Sequence, residues 1–369
     1  MKNVLFVFGT RPEAIKMAPV INEMKSRKGL LFAKTVVTAQ HRQMLDQVLE
    51  LFNLVPDYDL NLMTHAQTPD MVAAKILLEL PKLLDEIRPS CVIVQGDTTT
   101  TFAAALAAFH NKMPVAHVEA GLRTGDMSAP FPEEMNRRLT THITTWHFPP
   151  TEGSRKNLLK ENILDSAILV TGNTVIDALL QVASRPYFFK DPLLANIKGR
   201  LMLITAHRRE SFGEPFKRLC NAIRLIAESY PQDTIIYPVH LNPNVRKPVM
   251  SILNDLPNVN LIEPLSYEPF VHLMKKAYLI LTDSGGIQEE APSFGIPVLV
   301  MRDKTERPEG IDAGTVRLVG TDEEVIVSQV HRLMDDHEAY RAMSESKNPY
   351  GDGHASERIV NFLEQNLLK

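Results

Sequence analysis

The segment Thr282-Asp283-Ser284-Gly285-Gly286-Ile287-Gln288-Glu289-Glu290 joins hydroxyl, carboxylate and glycine residues at one point of the chain. It follows Tyr278-Leu279-Ile280-Leu281, which reads as a buried strand, and precedes a segment that can run as a helix up to Gly295-Ile296-Pro297. A strand ends, two glycines turn the chain, and a helix opens with unpaired N–H groups. Those donors and the positive end of the helix dipole suit a phosphate. Glu290 lies about one to two turns into the helix, in reach of the rest of a nucleotide. Taken alone, the segment is more safely read as an ordinary strand–turn–helix with a Gly-Gly hinge, since short Gly-rich turns are common. Other polar clusters must decide.

Most of those clusters also follow apolar runs. Gly9-Thr10-Arg11-Pro12-Glu13 places Arg11 and Lys16 near a helix start, either ready for an anion or as solvated charges on a capped helix. In Gln95-Gly96-Asp97-Thr98, Asp97 or Thr98 could cap the next helix. In His117-Val118-Glu119, a glutamate at the end of a buried strand is costly unless paired or functional. A metal there is discounted, because no Cys cluster or His-x-x-x-His helix accompanies it. Pro130-Phe131-Pro132-Glu133-Glu134 fixes a loop and opens a helix with acids. Asp97, Glu119 and Glu133 together exceed what capping explains. The second half supplies bases: His207-Arg208-Arg209, His240, and the charged run Arg302 to Glu309. Acids from one half and cations plus a glycine turn from the other suit a diphosphate bound to a neutral group. The cations would grip the phosphates and the carboxylates would move protons. The chain carries no Gly-x-Ser-x-Gly elbow, Walker loop or Gly-x-Gly-x-x-Gly fingerprint, which argues against acyl transfer, NTP hydrolysis and a tightly held NAD or FAD.

These residues need a scaffold that brings strand ends together. Apolar runs at Asn3–Phe8, Leu31–Thr38, Cys91–Gln95, Val115–Glu119, Trp146–Phe148 and Ala167–Val170 read as strands, as do Leu201–Thr205, Thr234–Pro238, Val259–Ile262, Leu279–Leu281, Val298–Val300 and Thr315–Leu318. Helices are expected near Pro12–Ser26, Arg42–Phe52, Pro69–Arg88, Thr98–His110, Glu133–Thr144 and Thr151–Lys160, and near Glu214–Ser229, Pro243–Asn254, Pro269–Lys276, Gly286–Phe294, Asp322–Met334 and Ser356–Leu367; Pro81 should kink or break the one over Pro69–Arg88. Alternating βα units imply parallel sheets covered on both faces. Two sheets of about six strands are favoured over one of a dozen. The expected fold class is therefore α/β, with two Rossmann-like doubly wound domains facing a cleft. The expected domains are 1–170, with helix 356–369 packing back on them, and 171–355. Periodicity is interrupted between Ser184 and Gly199.

The chain has 369 residues, 44% hydrophobic and 23% charged, with a net charge of −4, so nonspecific binding to nucleic acid or anionic membrane gains no support. Cys91 and Cys220 read as reduced core residues. No apolar stretch approaches the ~20 residues of a membrane span. A soluble cytoplasmic protein is expected.

Phe8-Gly9-Thr10-Arg11-Pro12-Glu13-Ala14-Ile15-Lys16, Thr38-Ala39-Gln40-His41-Arg42, Gly96-Asp97-Thr98-Thr99, Val118-Glu119-Ala120-Gly121-Leu122-Arg123, Phe131-Pro132-Glu133-Glu134 with Asn136-Arg137, His207-Arg208-Arg209-Glu210, the Thr282–Glu290 segment and Asn348-Pro349-Tyr350-Gly351-Asp352-Gly353 occur in an order that closely resembles the non-hydrolysing UDP-N-acetylglucosamine 2-epimerases. The resemblance spans nearly the whole chain. It implies the glycosyltransferase B fold, a homodimer, and interconversion of UDP-N-acetylglucosamine and UDP-N-acetylmannosamine without NAD or a required metal. It implies elimination of UDP to 2-acetamidoglucal and re-addition, with Asp97, Glu119, Glu133 and His207 as acid/base groups. It places Arg11, Lys16, Arg208 and His240 near the phosphates or base, Ser284, Gly285 and Gly286 on the diphosphate, and Glu290 on the ribose. Some bacterial members bind a second substrate molecule as activator through residues like Gln40, Gln43 and Gln67, although Met63-Thr64-His65-Ala66-Gln67 is less typical of them. Ser211 stands where the family commonly has Asn. A glycosyltransferase of the same fold, a hydrolysing epimerase and a non-catalytic nucleotide-sugar sensor are the competing readings.

Overall fold

The structure, a computed structural model, describes residues 1–38, 42–62 and 67–368. Its contacts divide into two units, Met1–Leu180 with Tyr350–Lys369, and Gln181–Pro349. In the first, β1 (Lys2–Phe8), β2 (Leu31–Val37), β3 (Tyr58–Asp59), β4 (Cys91–Gln95), β5 (Val115–Val118) and β6 (Trp146–Phe148) form one parallel sheet in the order β3-β2-β1-β4-β5-β6. In the second, β7 (Leu201–Thr205), β8 (Thr234–Pro238), β9 (Val259–Ile262), β10 (Leu279–Thr282), β11 (Val298–Val300) and β12 (Val316–Leu318) form another, β12-β11-β10-β7-β8-β9. Counted from its own first strand, each sheet has the doubly wound order 3-2-1-4-5-6. The order reverses at β1/β4 and at β7/β10. The loops leaving these strand pairs diverge to opposite faces, and in such folds that is where ligands bind.

The central strands form because both faces are covered. Val4 to Phe8, Cys91 to Val94 and Met202 to Ile204 are buried apolar runs without polar alternation. The helix Pro69–Ile87 runs on through Pro81 instead of breaking there. A proline inside a helix costs about 3 kcal/mol, yet Ile76, Leu80 and Leu84 beside it are all fully buried in one core. Burying each such side chain is worth about 1.5–3 kcal/mol, which outweighs the lost hydrogen bond.

The sixth strand of the first sheet is not Ala167–Val170. Asp165–Ala167 is a 3-10 turn, and Ile168 makes only an isolated bridge to His147. The two-residue β3 takes the opposite edge. Asp57 prepares it by accepting from the Thr35 amide at 2.9 Å and the Thr35 hydroxyl at 3.0 Å.

Helix Thr174–Ala183, absent from the pattern expected from sequence, ties the chain's end to the first unit. The Asp177 carboxylate accepts from the amides of Ala355 and Ser356 at 3.2 and 2.7 Å, at the N-terminus of helix Ala355–Leu367. That helix lays Phe362 edge-on against Trp146 and Phe148. Residues 171–180 and 350–369 therefore cluster with the first unit. Both cysteines are free and buried. Among the described residues no helix is long and apolar enough to cross a membrane.

Candidate functional site

In the first unit the loops after β1, β4 and β5 carry most of the candidate residues. Thr10 caps helix Arg11–Ser26, and Glu13 closes a capping box on it. Glu13 does more than cap. Its fully buried carboxylate accepts from the amides of Gly9 and Thr10 at 2.9 and 2.7 Å, and from the hydroxyls of Thr98 and Thr101 at 2.6 and 3.2 Å. One side chain thus pins the loop after β1 to the loop after β4. Burial pushes its pKa up against those donors.

The expected acid/base residues of this unit are held in three different ways. Glu119 leaves β5 with a left-handed backbone, φ 63°, which swings its side chain out of the strand's alternation. Lys16 Nζ lies 2.7 and 2.5 Å from its two oxygens, and Gln95 Nε2 donates to the same carboxylate. Asp97 accepts through Oδ2 from Arg137 Nε and Nη2 at 3.0 and 2.7 Å. Arg137 is in turn held by the fully buried Glu134 at 3.2 Å, which also receives the amides of Thr124 and Gly125. Glu133, next in sequence, is half-buried, and its Oε2 is buried without a hydrogen-bond partner among the described residues. Arg11 is exposed.

His117 does not join Glu119 around a metal. Its Nε2 donates to the Gly96 carbonyl at 2.7 Å, while Glu119 faces Lys16. Burial lowers the His117 pKa to about 4, so it is neutral. Among the described residues no three metal-ligating side chains come together.

In the second unit the loops after β7 and β10 meet on Asp283. This fully buried carboxylate accepts the amides of His207 and Arg208 at 2.6 and 2.7 Å, and its Oδ1 lies 3.5 Å from His207 Nδ1. The His207 ring stacks on His240, centroids 5.3 Å apart and nearly parallel. Burial lowers the His207 pKa. Asp283 opposes that shift, while His240 and Arg208 add to it.

Ser284 opens helix Gly285–Glu290 without a side-chain cap, and a 3-10 turn, Ala291–Phe294, follows. At Gly285 the guanidinium of Arg307 packs so close that a Cβ would stand 2.4 Å from Nη1 and force that side chain to shift. At Gly286 a Cβ would lie 3.5 Å from Glu290 Oε1 and 4.0 Å from Ser284 Oγ, ordinary van der Waals contact. Around this turn Arg307 pairs with Glu289 and Glu306 at 2.5 Å each, Arg302 with Glu210 at 2.7 Å and Glu306 at 3.0 Å, and Arg208 approaches Glu306 at 3.9 Å. The arginines Arg307, Arg302 and Arg208 overcome the burial of Glu306 and hold its pKa at about 2.

Of the residues expected at a second, activating site, Gln40 lies outside the described residues, as does the side chain of Gln43. Gln67 Nε2 donates to the Leu62 carbonyl at 2.7 Å.

Glu13, Glu134, Asp283 and the Glu306–Arg307 pair were not picked out from sequence. The Thr10-x-x-Glu13 spacing signals a capping box, but the bonds to Thr98 and Thr101 link residues 85 and 88 positions apart. Asp283 was visible only as part of its turn.

Two doubly wound parallel α/β units, each with charged side chains at the carboxyl ends of its central strands, define a two-unit Rossmann-like enzyme. The fold is shared with a solved glycotransferase of kitacinnamycin, at TM-score 0.67 and 12% identity, over 99% of each chain. The UDP-N-acetylglucosamine 2-epimerase family model matches residues 23–364. The UDP-N-acetylglucosamine 2-epimerase of Escherichia coli strain K12 is 56% identical over 99% of this chain and 99% of its own. The crystal structure of UDP-GlcNAc 2-epimerase from Neisseria meningitidis bound to UDP-GlcNAc superposes at TM-score 0.87 with 50% identity, covering 99% of this chain and 100% of that one. The chain belongs to the UDP-N-acetylglucosamine 2-epimerase family, a family of isomerases.

Proposed function

We propose that this protein interconverts UDP-N-acetylglucosamine and UDP-N-acetylmannosamine by eliminating UDP and adding it back. The C2 proton of the sugar is not α to a carbonyl, so direct abstraction is prohibitive. When the C1–O bond breaks and its electron pair leaves with UDP, positive charge at C1 acidifies C2–H. A carboxylate takes that proton, the C1–C2 double bond forms, and 2-acetamidoglucal results. Re-addition of UDP with a proton delivered to the opposite face of C2 gives the epimer.

The observation that carries this reading is the Glu119 carboxylate, turned out of its strand and held by Lys16 and Gln95. A proton acceptor must be ionised and fixed, and the lysine supports both. Asp97 on Arg137, the half-buried Glu133, and His207 are the other acid/base groups of the proposal. Each such group contributes about 10²–10⁴-fold. The larger share falls to groups that stabilise departing UDP. In the second unit these are Arg208, His240, the amides of Ser284, Gly285 and Gly286, and Arg307 over Gly285, with Glu290 accepting the ribose hydroxyls. Arg11 and Lys16 are the first unit's cations.

The same reading makes the protein a cytoplasmic homodimer serving cell-wall polysaccharide synthesis, with UDP-N-acetylglucosamine and UDP as its small-molecule partners. It needs neither NAD nor a metal, and it has no nucleic-acid or membrane partner. Gln40, Gln43 and Gln67 are its proposed activator-binding residues. A proton NMR time course of UDP-N-acetylglucosamine with the purified protein tests the proposal. Growth of the UDP-N-acetylmannosamine anomeric signal to a constant ratio supports it. Free N-acetylmannosamine with UDP would indicate a hydrolysing epimerase. Turnover only with an added acceptor would indicate a glycosyltransferase. Binding without turnover would indicate a sensor.

A further inference from the structure

Three arginines and three carboxylates surround the Gly285 turn. Arg302 directs Nε at Glu210, at 2.7 Å, and Arg307 directs Nε at Glu289, at 2.5 Å. All three arginines direct an outer guanidinium nitrogen at one shared carboxylate, Glu306: Arg307 Nη1 at 2.5 Å, Arg302 Nη1 at 3.0 Å and Arg208 Nη2 at 3.9 Å. Those outer nitrogens form the fork that grips phosphate oxygens. Arg307 Nη1, the atom bonded to Glu306, is also the atom a side chain at Gly285 would strike. Within these six residues positive and negative charge balance. A dianionic diphosphate arriving at the turn would meet no net charge from them, and the arginine donors that face Glu306 would be taken, unless that carboxylate gives way. Glu289 is nearly buried, and Glu210 touches only Arg302 of the three arginines. Glu306 bridges all three arginines, and its side chain keeps 22% of its surface exposed. Thr305 anchors the adjoining loop, its hydroxyl donating to Gln288 at 2.8 Å and accepting from the Arg307 amide at 3.2 Å.

We propose that Glu306 is a positioning residue that stands in for the diphosphate: it occupies the arginine fork while the site is empty, is displaced by nucleotide, and so sets UDP affinity. The proposal rests on the reading of the Ser284-Gly285-Gly286 turn and Arg208 as the diphosphate site. The fork stays assembled between turnovers, and competition from Glu306 weakens product binding and speeds release. Removing the negative charge while keeping the side chain's shape should tighten UDP binding, which loss of a merely structural contact would not do.

The test is isothermal titration of UDP into the full chain as wild type, Glu306→Gln and Glu210→Gln at low salt, with kcat and KM measured for UDP-N-acetylglucosamine. Glu306→Gln should bind UDP about tenfold more tightly or better, with lower KM and lower kcat. Glu210→Gln should gain less than about threefold. Unchanged or weaker UDP binding by Glu306→Gln, with a wild type that does bind UDP, overturns the inference alone. A wild type that does not bind UDP overturns the diphosphate reading and the inference with it. Should Glu306→Gln be unfolded, recovery of its thermal transition by added UDP supports the stand-in role, and no recovery overturns it.

Discussion

Lys16 Nζ lies 2.7 and 2.5 Å from the two oxygens of Glu119, a residue 103 positions away whose backbone sits at φ 63°. A left-handed non-glycine residue costs on the order of 1–3 kcal/mol, and such strain gathers where a side chain must be re-aimed. Glu119→Gln keeps that backbone and nearly the same shape. It should lower kcat by about 10²-fold or more, while UDP still binds. Steady-state kinetics with UDP calorimetry checks both. A near wild-type rate would remove Glu119 from the proton-transfer set.

Asp97 is held through one oxygen by Arg137, which leaves the other for a reacting proton. Asp97→Asn should also lose about 10²-fold or more in kcat. Arg137→Lys, unable to donate twice to one carboxylate, should lose less. If Asp97→Asn retains full rate, the Arg137 pair is only structural.

Gly285→Ala should weaken UDP binding by about tenfold or more, since its methyl would fall 2.4 Å from Arg307 Nη1 and push the guanidinium aside. Arg307→Ala removes the obstacle. In that background the Gly285→Ala penalty should shrink to a small fraction of its value, because contacting residues are not additive. Equal penalties in both backgrounds would contradict the close approach.

Acid stability should depend on two histidines paired across β5 and β6. His117 has its pKa lowered from 6.5 to about 4, and His147 to about 3, chiefly by burial. Between these values and 6.5 the unfolded chain binds protons that the folded chain refuses. Each histidine's contribution is therefore complete above pH 6.5 and is lost as pH falls toward its folded value, at up to ~1.4 kcal/mol per pH unit. Glu13, with its pKa raised, has the opposite sign and partly offsets this. Urea midpoints of wild type and His117→Gln between pH 5 and 7 should diverge, the wild type losing stability more steeply. Parallel curves would count against a buried neutral His117.

Local pattern was enough for most of the scaffold. The runs that became β1, β4, β7 and β10 are continuous and apolar because helices cover both of their faces, and their ends marked the loops that hold the candidate residues. What escaped was set by distant partners. β3 is two residues long, and the Asp57–Thr35 bonds define it. Helix His337–Ser344 is short and mostly polar, with only Met343 buried, so it left little periodic signal. Thr174–Ala183 did carry apolar spacing in Val175, Ile176, Leu179 and Val182, but its β-branched start also suits an extended run. The candidate acids and cations could be named by type and position. That Glu134 rather than Glu133 would anchor Arg137, or that Glu306 would bridge three arginines, depends on side chains meeting across the fold.

The central claim is that proton removal and return at C2 accompany loss and re-addition of UDP. Running the reaction on UDP-N-acetylglucosamine in D₂O, with proton NMR and mass analysis of the UDP-linked sugars, tests it most directly. The account predicts that UDP-N-acetylmannosamine carries deuterium at C2 from the first turnovers. UDP-N-acetylmannosamine that keeps its original C2 proton would contradict it.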